Sequence, residues 1–379
     1  MNLPRPLPVE RGSILIAAIS GRALAEAARA SGYRPLVADF FADEDTRAAA
    51  AACEQLPGNF TDGFRADTLI AALDRLVAGH KPTALVCGSG FEQQTDLLAI
   101  LDRRFGLAGN KPDTISRTKQ VEAFAALCRT LNIPHPESRR LRPKNQRGWL
   151  SKLEGAAGGW HVLPAADAPD DPRRYFQRRI AGRPVSALFL ADGRRADILG
   201  FSRQWSVPKP GRAFCYGGAV RPAQMSHQAE RAMRVSVQRL AGTLGLVGLN
   251  SADFLVDANR VSLLEINARP GATLDIYRDR EGRLFEAHLQ ACGGTLPRWP
   301  LTFEAAAASA ILYADREVSN FQISHWPDWV HDRQHAGTSI LPDGPVCTIT
   351  AIATTARAAM DLLRRRMRSL SMLTEDVAA

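Results

Sequence analysis

Residues 251–267 carry three oxygen-bearing side chains on what the sequence predicts to be one β-hairpin. Apolar runs on either side of an Asp-Ala-Asn turn at 257–259 predict its two strands. Side chains two residues apart leave the same face of a strand, so Glu265 and Asn267 share a face, and Asp253 can lie across from them. Two carboxylates and an amide oxygen on one face suit Mg²⁺ and, through it, nucleotide phosphates. The sequence therefore predicts a nucleotide site on one face of an antiparallel strand pair.

The sequence Glu-Ile-Asn-Ala-Arg-Pro-Gly at 265–271, together with the upstream Asp253, resembles the metal-binding end of the ATP-grasp superfamily. The resemblance implies that ATP and two Mg²⁺ ions, with Mn²⁺ as a substitute, are bound through Asp253, Glu265 and Asn267. It also implies that Arg269 is catalytic and contacts the substrate, because a fixed guanidinium can grip a carboxylate or a phosphoryl group. The alternative interpretation is an ordinary hairpin with polar residues at its edge.

The first hundred residues predict a Rossmann-like α/β domain. Residues 13–19 form a continuous apolar run typical of a buried parallel strand, and residues 83–87 form another after a helical stretch. No Gly-x-Gly-x-x-Gly loop follows the first run, so the sequence carries no dinucleotide-binding fingerprint. Glu92 ends a Gly-Ser-Gly-Phe-Glu loop at the carboxyl end of the later strand, where α/β sheets bind ligands. We therefore expect Glu92 to contact the substrate; a solvated glutamate on a Gly-rich loop is the alternative.

Two lysines in the next segment match phosphate contacts of ATP-grasp chains. Lys119 leads into a helix that ends before Asn-Ile-Pro-His-Pro at 132–136, a pattern similar to that of the superfamily. Lys152 lies on a predicted strand and precedes a Gly-rich loop whose backbone N–H groups can surround phosphates. The resemblance implies that both lysines bind the nucleotide, that Lys152 is catalytic, and that the loop is a mobile lid. The lid glycines expected to bind the cofactor are Gly155, Gly158 and Gly159.

Residues 174–186 resemble the adenine-binding hinge of the same superfamily. The resemblance implies that Gln177, where a Glu is usual, meets the adenine amino group through its side-chain oxygen. It further implies that the backbone of Ile180 contacts the base. Many members carry a ribose-binding Glu near the position of Pro184, so this chain departs from the pattern and its ribose contact has no assigned residue.

Residues 214–222 include the pair Gly217-Gly218 and predict a loop ahead of a long helix that starts at Ser226. Adjacent glycines let a backbone approach a ligand closely. Arg221 in this loop is expected to neutralise phosphate or a substrate carboxylate.

The order of the predicted elements indicates an α/β and α+β architecture. With the resemblance, we predict an ATP-grasp fold with an N-terminal Rossmann-like domain over residues 1–111, an ATP-grasp domain over 112–295, and a small mixed C-terminal domain over 296–379. The Gly-Asn-Lys-Pro sequence at 109–112 marks the first boundary. Beyond residue 296 nothing of comparable specificity is found, and the prediction there rests on two apolar runs and an arginine-rich helix.

Composition and charge limit the partners and the compartment. The six cysteines are scattered without a Cys-x-x-Cys pair, which favours free thiols in a reducing cytoplasm over disulfides or zinc. No apolar run approaches the length of a membrane helix, and the Pro-rich start does not suit a signal peptide. The net charge of +9 favours anionic small molecules, while no nucleic-acid-binding pattern accompanies the arginine clusters. We expect a cytoplasmic protein that acts on small molecules, with no nucleic-acid or membrane partner.

The resemblance implies an ATP-dependent carboxylate–amine ligase. ATP would phosphorylate a carboxylate to an acyl phosphate, and an amine would displace phosphate to give an amide, with release of ADP and phosphate. The sequences at 88–92 and 182–186 look similar to tyramine–glutamate ligases of methanofuran-type, one-carbon cofactor biosynthesis, which suggests a glutamate-type acid or amine. Ligases of this kind are often homodimers. Two alternatives stay open: another ATP-grasp enzyme, such as an amino-acid or peptide ligase or a carboxylase-like enzyme, and a non-catalytic ATP-binding protein.

Overall fold

The chain begins with a parallel four-stranded sheet. A computed structural model describes residues 11–59, 62–321 and 325–376. The elements of the first domain are β1 (Ser13–Ala17), α1 (Arg22–Ala30), β2 (Arg34–Asp39), α2 (Glu44–Ala49), β3 (Ala52–Gln55), α3 (Ala66–Val77), β4 (Leu85–Cys87) and α4 (Thr95–Phe105). The sheet order is β3-β2-β1-β4 with all pairs parallel, and β1 is buried along its length, as its continuous apolar sequence predicts. This is the Rossmann-like layout expected from the sequence.

Two short helices stand where the sequence predicts a single one. They are α5 (Pro112–Lys119) and α6 (Val121–Thr130). The break falls at Gln120, whose φ of −65° and ψ of 102° are not helical. Lys119 therefore ends α5 and, as expected, leads into the next helix, which begins at Val121. Its ammonium reaches the carbonyl oxygen of Ile266 in the predicted hairpin.

A small antiparallel sheet, the lid sheet, follows α6. Its strands are β5 (Ser138–Arg139), β6 (Trp149–Leu153), β7 (Leu163–Pro164) and β8 (Arg174–Arg178), and their order is β5-β8-β6-β7. Trp149, Ala165 and Phe176 form a separate small core in this sheet. Because that core is small, the lid sheet depends on the cation–π packing of Arg139 and Arg178 on Trp149 and on its contacts with the rest of the chain.

The largest sheet of the described chain is antiparallel and has eight strands. Its strands are β9 (Arg183–Asp192), β10 (Ala196–Ser206), β11 (Tyr216–Arg221), β12 (Val247–Asp257), β13 (Arg260–Asn267), β14 (Ala306–Tyr313), β15 (Val330–His331) and β16 (Pro345–Ala353), in the order β13-β12-β9-β10-β11-β14-β16-β15. The helices around it are α7 (His227–Leu244), α8 (Leu284–Cys292) and α9 (Ala356–Asp376), and a 3₁₀ helix spans Ala272–Ile276. None of the helices within the described ranges combines the length and apolar character needed to span a bilayer.

The last three strands extend the same sheet across residue 295. β14 pairs with β11, with Gly218 opposite Ala310 and Arg221 opposite Ala307, and β16 and β15 continue the ladder outward. The domain boundaries at 111 and 295 remain predictions. The second of them divides the chain at a place where the hydrogen-bonded sheet is continuous.

A buried arginine ties the first domain to the C-terminal part. The Arg22 side chain is 2% exposed and donates to both carboxylate oxygens of Asp275, at 2.7 and 2.9 Å. Its Nε also donates to Asp332 at 2.7 Å, and Glu26 lies 3.3 Å away. The guanidinium thus links α1, the 3₁₀ helix and the segment after β15, and one of its partners, Asp332, lines the cavity described below.

Glu26, Asp45 and His331 lie close enough to share a cation, beside this arginine. Their carboxylates already have cationic partners: Arg333 pairs with Asp45, and Arg278 pairs with Glu26 at 2.7 Å. We therefore interpret the cluster as an ion-pair network and assign no metal to it.

Candidate active site

A cavity of about 1260 Å³ lies between the first domain, the lid sheet and the eight-stranded sheet. Small-molecule pockets commonly enclose about 300–1,000 Å³. The volume is therefore enough for a nucleotide and a second ligand together. All of the predicted site residues line this cavity except Arg221: Glu92, Lys119, Lys152, Gly155, Gly158, Gly159, Gln177, Ile180, Asp253, Glu265, Asn267 and Arg269.

The hairpin β12–β13 brings its three predicted metal ligands together. Asp253 pairs with Glu265 across the hairpin, and Ser251 pairs with Asn267, so all three side chains stand on neighbouring positions of one face. Asn267 Nδ2 donates to Asp253 Oδ2 at 2.9 Å, while the buried Asp253 Oδ1 makes no hydrogen bond of regular geometry within the described residues. The Ser186 hydroxyl on the neighbouring strand is near enough to lower the pKa of Asp253, against the larger effects that raise it. Burial and the neighbouring Glu265 raise the pKa of Asp253 to about 6. An unpartnered carboxylate oxygen beside a second carboxylate fits a divalent cation, because such an ion would satisfy both groups.

Lys119 places a positive charge beside the three candidate metal ligands. Its side chain is 8% exposed, and its Nζ donates to the Ile266 carbonyl at 2.9 Å and to Asn267 Oδ1 at 3.4 Å. The ammonium also lies 3.6 Å from Glu265 Oε2. Lys119 is thus held among the acidic ligands, where it can meet a phosphate bound to the same ion.

Lys152, on β6 of the lid sheet, faces the same three candidate metal ligands. Its Nζ donates to Gln177 Oε1 at 2.7 Å, and Gln177 Nε2 donates in turn to Ser138 Oγ at 3.1 Å. Burial lowers the pKa of Lys152, and the charges of Glu265 and Asp253 oppose that shift. Both polar ends of Gln177 are therefore held by hydrogen bonds, while its oxygen keeps a second lone pair, so the contact with the adenine amino group stays a prediction. As a neutral partner, Gln177 orients Lys152 without cancelling its charge.

The Gly-rich loop covers the cavity as a roof and is hydrogen-bonded to the eight-stranded sheet and to the first domain. Tyr216 N donates to the Gly158 carbonyl at 2.9 Å, and Gln93 Nε2 donates to the Glu154 carbonyl at 2.7 Å. Gly159 has a φ of 74°, and a Cβ atom there would lie 2.0 Å from the Phe214 carbonyl oxygen. Glycine is therefore required at this position both for its backbone conformation and for the close approach of another backbone.

Arg269 forms a buried ion pair with Glu92. Arg269 Nε donates to Glu92 Oε1 at 2.7 Å, and Gly90 N donates to Glu92 Oε2 at 3.0 Å. The two side chains are 11% and 3% exposed. Burial would raise the pKa of Glu92, but the charges of Arg269 and Lys119 outweigh it and hold the pKa below its usual range. The structure thus uses Glu92 to fix Arg269, and does not present it as a free group for the substrate.

Arg221 lies away from the cavity. The predicted loop is strand β11, and the buried guanidinium donates to the carbonyl oxygens of Ile276 and Glu304 between the rings of Tyr277 and Phe303. These contacts occupy the group that was expected to neutralise phosphate or carboxylate. The adjacent glycines serve sheet packing, because a Cβ at Gly218 would lie 2.2 Å from the Ser309 carbonyl of β14.

Two polar residues that the sequence did not single out also line the cavity. Gln204 follows Arg203, which pairs with Val185 across β9 and β10, so Gln204 lies beside Pro184, where the ribose contact had no assigned residue. His161 lies at the end of the Gly-rich loop. Gln204 and His161 were missed at the level of sequence because neither falls on a position of the superfamily pattern.

Residues 118–273, which include the lid sheet, the Gly-rich loop and the hairpin with its acidic ligands, match the family model described as an ATP-grasp domain. The fold is the ATP-grasp fold with mixed α/β content, so the predicted fold class is confirmed.

Individual proteins and solved structures are also similar to this chain. The large chain of carbamoyl phosphate synthase from Thermus thermophilus is 27% identical over 224 residues, a match that spans 52% of this chain and 22% of the synthase. Biotin carboxylase from Campylobacter jejuni, solved as a βγ-ATP complex, has a TM-score of 0.71 at 14% identity and covers 93% of this chain and 89% of its own. L-amino acid ligase from Bacillus licheniformis has a TM-score of 0.69 at 14% identity and covers 94% and 97%. At these identities the structural likeness shows the fold.

Proposed function

We propose that the protein is an ATP-dependent ligase that joins a carboxylate to an amine through an acyl phosphate, releasing ADP and phosphate. One observation carries the proposal: Asp253, Glu265 and Asn267 stand on one face of a hairpin, with an unpartnered carboxylate oxygen among them and with Lys119, Lys152 and Arg269 lining the same cavity. Phosphoryl transfer requires positioning and charge neutralisation more than covalent chemistry by the protein. This set of side chains supplies both.

Asp253, Glu265 and Asn267 would hold Mg²⁺, two ions in the proposal, and Mn²⁺ could replace them. Magnesium bound there would neutralise the terminal phosphates of ATP and hold them in line with the acceptor. We place the adenine near Ile180 and the ribose near Gln204, both of which line the cavity.

In the first step, the substrate carboxylate would attack the γ-phosphorus of ATP. A new carboxylate O–P bond forms, the bond to the β,γ-bridging oxygen breaks, and ADP leaves. Lys119 and Lys152 would meet the charge on the phosphate oxygens, while Arg269 would orient the carboxylate and then hold the acyl phosphate. The roof of the Gly-rich loop would keep water from the acyl phosphate, which otherwise hydrolyses.

In the second step, the amine nitrogen would attack the acyl carbon. A C–N bond forms, the C–O bond to phosphate breaks, and the nitrogen gives up one proton to the departing phosphate as the amide is made. Arg269 would support the leaving phosphate from the position that Glu92 fixes. No nucleophilic side chain of the protein is needed in either step.

The test is nucleotide turnover by the purified protein with Mg²⁺ and a panel of acids and amines, including glutamate, tyramine, ammonia and bicarbonate. ADP and phosphate released only when an acid and an amine are both present would support the ligase. ADP formed with bicarbonate in place of the acid would indicate the carboxylase-like alternative. AMP and pyrophosphate would contradict the acyl-phosphate mechanism, and ATP binding without turnover for any pair would favour the non-catalytic alternative.

We also propose a substrate class, a location and an oligomeric state for the protein. A glutamate-type acid or amine in one-carbon cofactor biosynthesis is proposed from the sequences at 88–92 and 182–186 and from the net charge of +9. A cytoplasmic location is proposed from the six cysteines, all of them free thiols. A homodimer is proposed by analogy with ligases of this kind, and the molar mass in solution would test it.

Replacing Glu92 with Ala is expected to raise the KM for the acid substrate by about tenfold or more, because the Arg269 guanidinium would lose the partner that orients it. The KM for ATP should change little. Glu92→Gln retains an oxygen that can accept from Arg269 Nε, so it should recover part of the loss. A rise in the KM for ATP equal to that for the acid would contradict a role specific to Arg269.

A further inference from the structure

We propose that His161 is a catalytic residue that donates its Nε2–H to an oxygen of the terminal phosphates of the bound nucleotide. His161 follows the Gly-rich loop, is 7% exposed and lines the cavity. Its backbone is held in place, since Arg174 Nη1 donates to the His161 carbonyl at 3.2 Å. The inference deepens the proposed function, because it adds a donor to the same phosphate site.

The hydrogen bond to one ring nitrogen determines where the proton sits. The backbone N–H of Leu153 donates to His161 Nδ1 at 3.0 Å. Nδ1 is therefore an acceptor and carries no proton, so a neutral ring must carry its proton on Nε2. A protonated Nε2 offers no lone pair to a metal ion and cannot take up a proton as a base. What it offers to the cavity is a neutral N–H donor.

The side chains around the ring place this donor at the phosphate end of the cavity, because His161 also lines a smaller pocket together with Lys119 and Glu265. Burial lowers the pKa of His161 to about 4, Glu265 opposes the shift, and Lys152, Arg174 and Lys119 contribute to it. The ring is thus close to one metal-ligand candidate and to both lysines assigned to phosphate. It remains neutral at physiological pH, so it adds a directed hydrogen bond without a third cation beside the two lysines.

Two conservative substitutions separate the donor role from the structural one. The side-chain oxygen of Asn falls near the position of Nδ1, so His161→Asn can keep the bond from Leu153 but has no group at the position of Nε2. The side-chain nitrogen of Gln falls near the position of Nε2, so His161→Gln can restore the donor. We expect His161→Asn to fold with an unchanged melting temperature, and His161→Gln to recover a substantial part of the lost function.

The first readout is the dissociation constant of Mg²⁺ complexes of ADP and of β,γ-imido-ATP, measured by calorimetry. His161→Asn should weaken binding of the imido-ATP complex by about tenfold or more, since hydrogen bonds to charged groups are the stronger ones. An unchanged affinity for ADP would place the contact on the γ-phosphate, and an equal loss would place it on the β-phosphate. With an active acid and amine pair, kcat should fall by about 10²-fold, as for loss of a neutral donor to a developing oxyanion.

Wild-type affinities for both nucleotides in His161→Asn would overturn the proposal and leave the ring a structural group. So would an equal loss in His161→Asn and His161→Gln accompanied by a lower melting temperature. If the wild-type protein forms no ADP with any acid, the proposed function fails at that point, while the binding measurements still decide the role of His161.

Discussion

Replacing Asp253 with Asn, or Glu265 with Gln, is expected to lower the rate of ADP formation by at least about 10²–10³-fold, because each change removes a charge that would hold the metal ion at the transferring phosphate. The two residues face each other across the hairpin, so the variants should lose a common function and the double variant should be little worse than either single one. Turnover at saturating Mg²⁺, and the Mg²⁺ concentration needed for half-maximal rate, would be measured for each.

Asp257→Asn is the matched control. It lies on the same hairpin, opposite Arg260 at the turn, and its side chain is 41% exposed. It should leave both turnover and Mg²⁺ dependence unchanged. Turnover that survives in Asp253→Asn with an unaltered Mg²⁺ requirement would mean that these side chains do not hold the ion.

Arg22→Met is expected to destabilise the protein by about 3–5 kcal/mol, because it leaves buried carboxylates without their cation. Asp275 and Asp332 each accept from this guanidinium at 2.7 Å, and the Asp275 side chain is 8% exposed. The measurement is the shift in denaturant midpoint, followed by a signal that reports on the first domain. Arg75→Met is the control, since Arg75 pairs with Glu54 at an exposed position and its loss should change the midpoint little.

A second variant tests the cause of that loss. Combining Arg22→Met with Asp275→Asn removes one of the uncompensated charges, so the double variant should be more stable than Arg22→Met alone. A double variant whose loss is the sum of the two single losses would show that Arg22 contributes through packing, and that the charges are solvated in its absence.

The metal-ligand hairpin could be predicted because its information is local. Alternation with a period of two places Glu265 and Asn267 on one face. The register set by the turn would pair Asp253 with Leu264, and a β-bulge between Asp253 and Phe254 shifts it so that Asp253 lies opposite Glu265, a detail that the alternation does not contain. The fold class followed from the same hairpin combined with the resemblance, and the comparison confirms it.

Other parts of the site depend on contacts between distant residues, which local patterns do not contain. Glu92 and Arg269 are 177 residues apart, so a glutamate on a Gly-rich loop gave no sign that its partner would be an arginine of the protein. The pair Gly217-Gly218 was interpreted as a ligand-binding loop because the sequence cannot show that β14 packs against it. The strand β3 escaped prediction for a related reason: its Ala-Cys-Glu-Gln sequence is short and half-exposed, and it pairs along one side with β2.

The continuity of the eight-stranded sheet across residue 295 bears on how the protein can be divided experimentally. A chain ended at that point would expose the backbone of β11 along the positions that now pair with Ala307 to Ala310. Unpaired strand edges recruit other chains, so such a fragment should precipitate or self-associate, although it contains every residue that we assign to nucleotide and metal. Tags, fusion partners and deletions are therefore better placed outside this ladder, and the region after residue 296 should be regarded as part of the same folded unit as the proposed site.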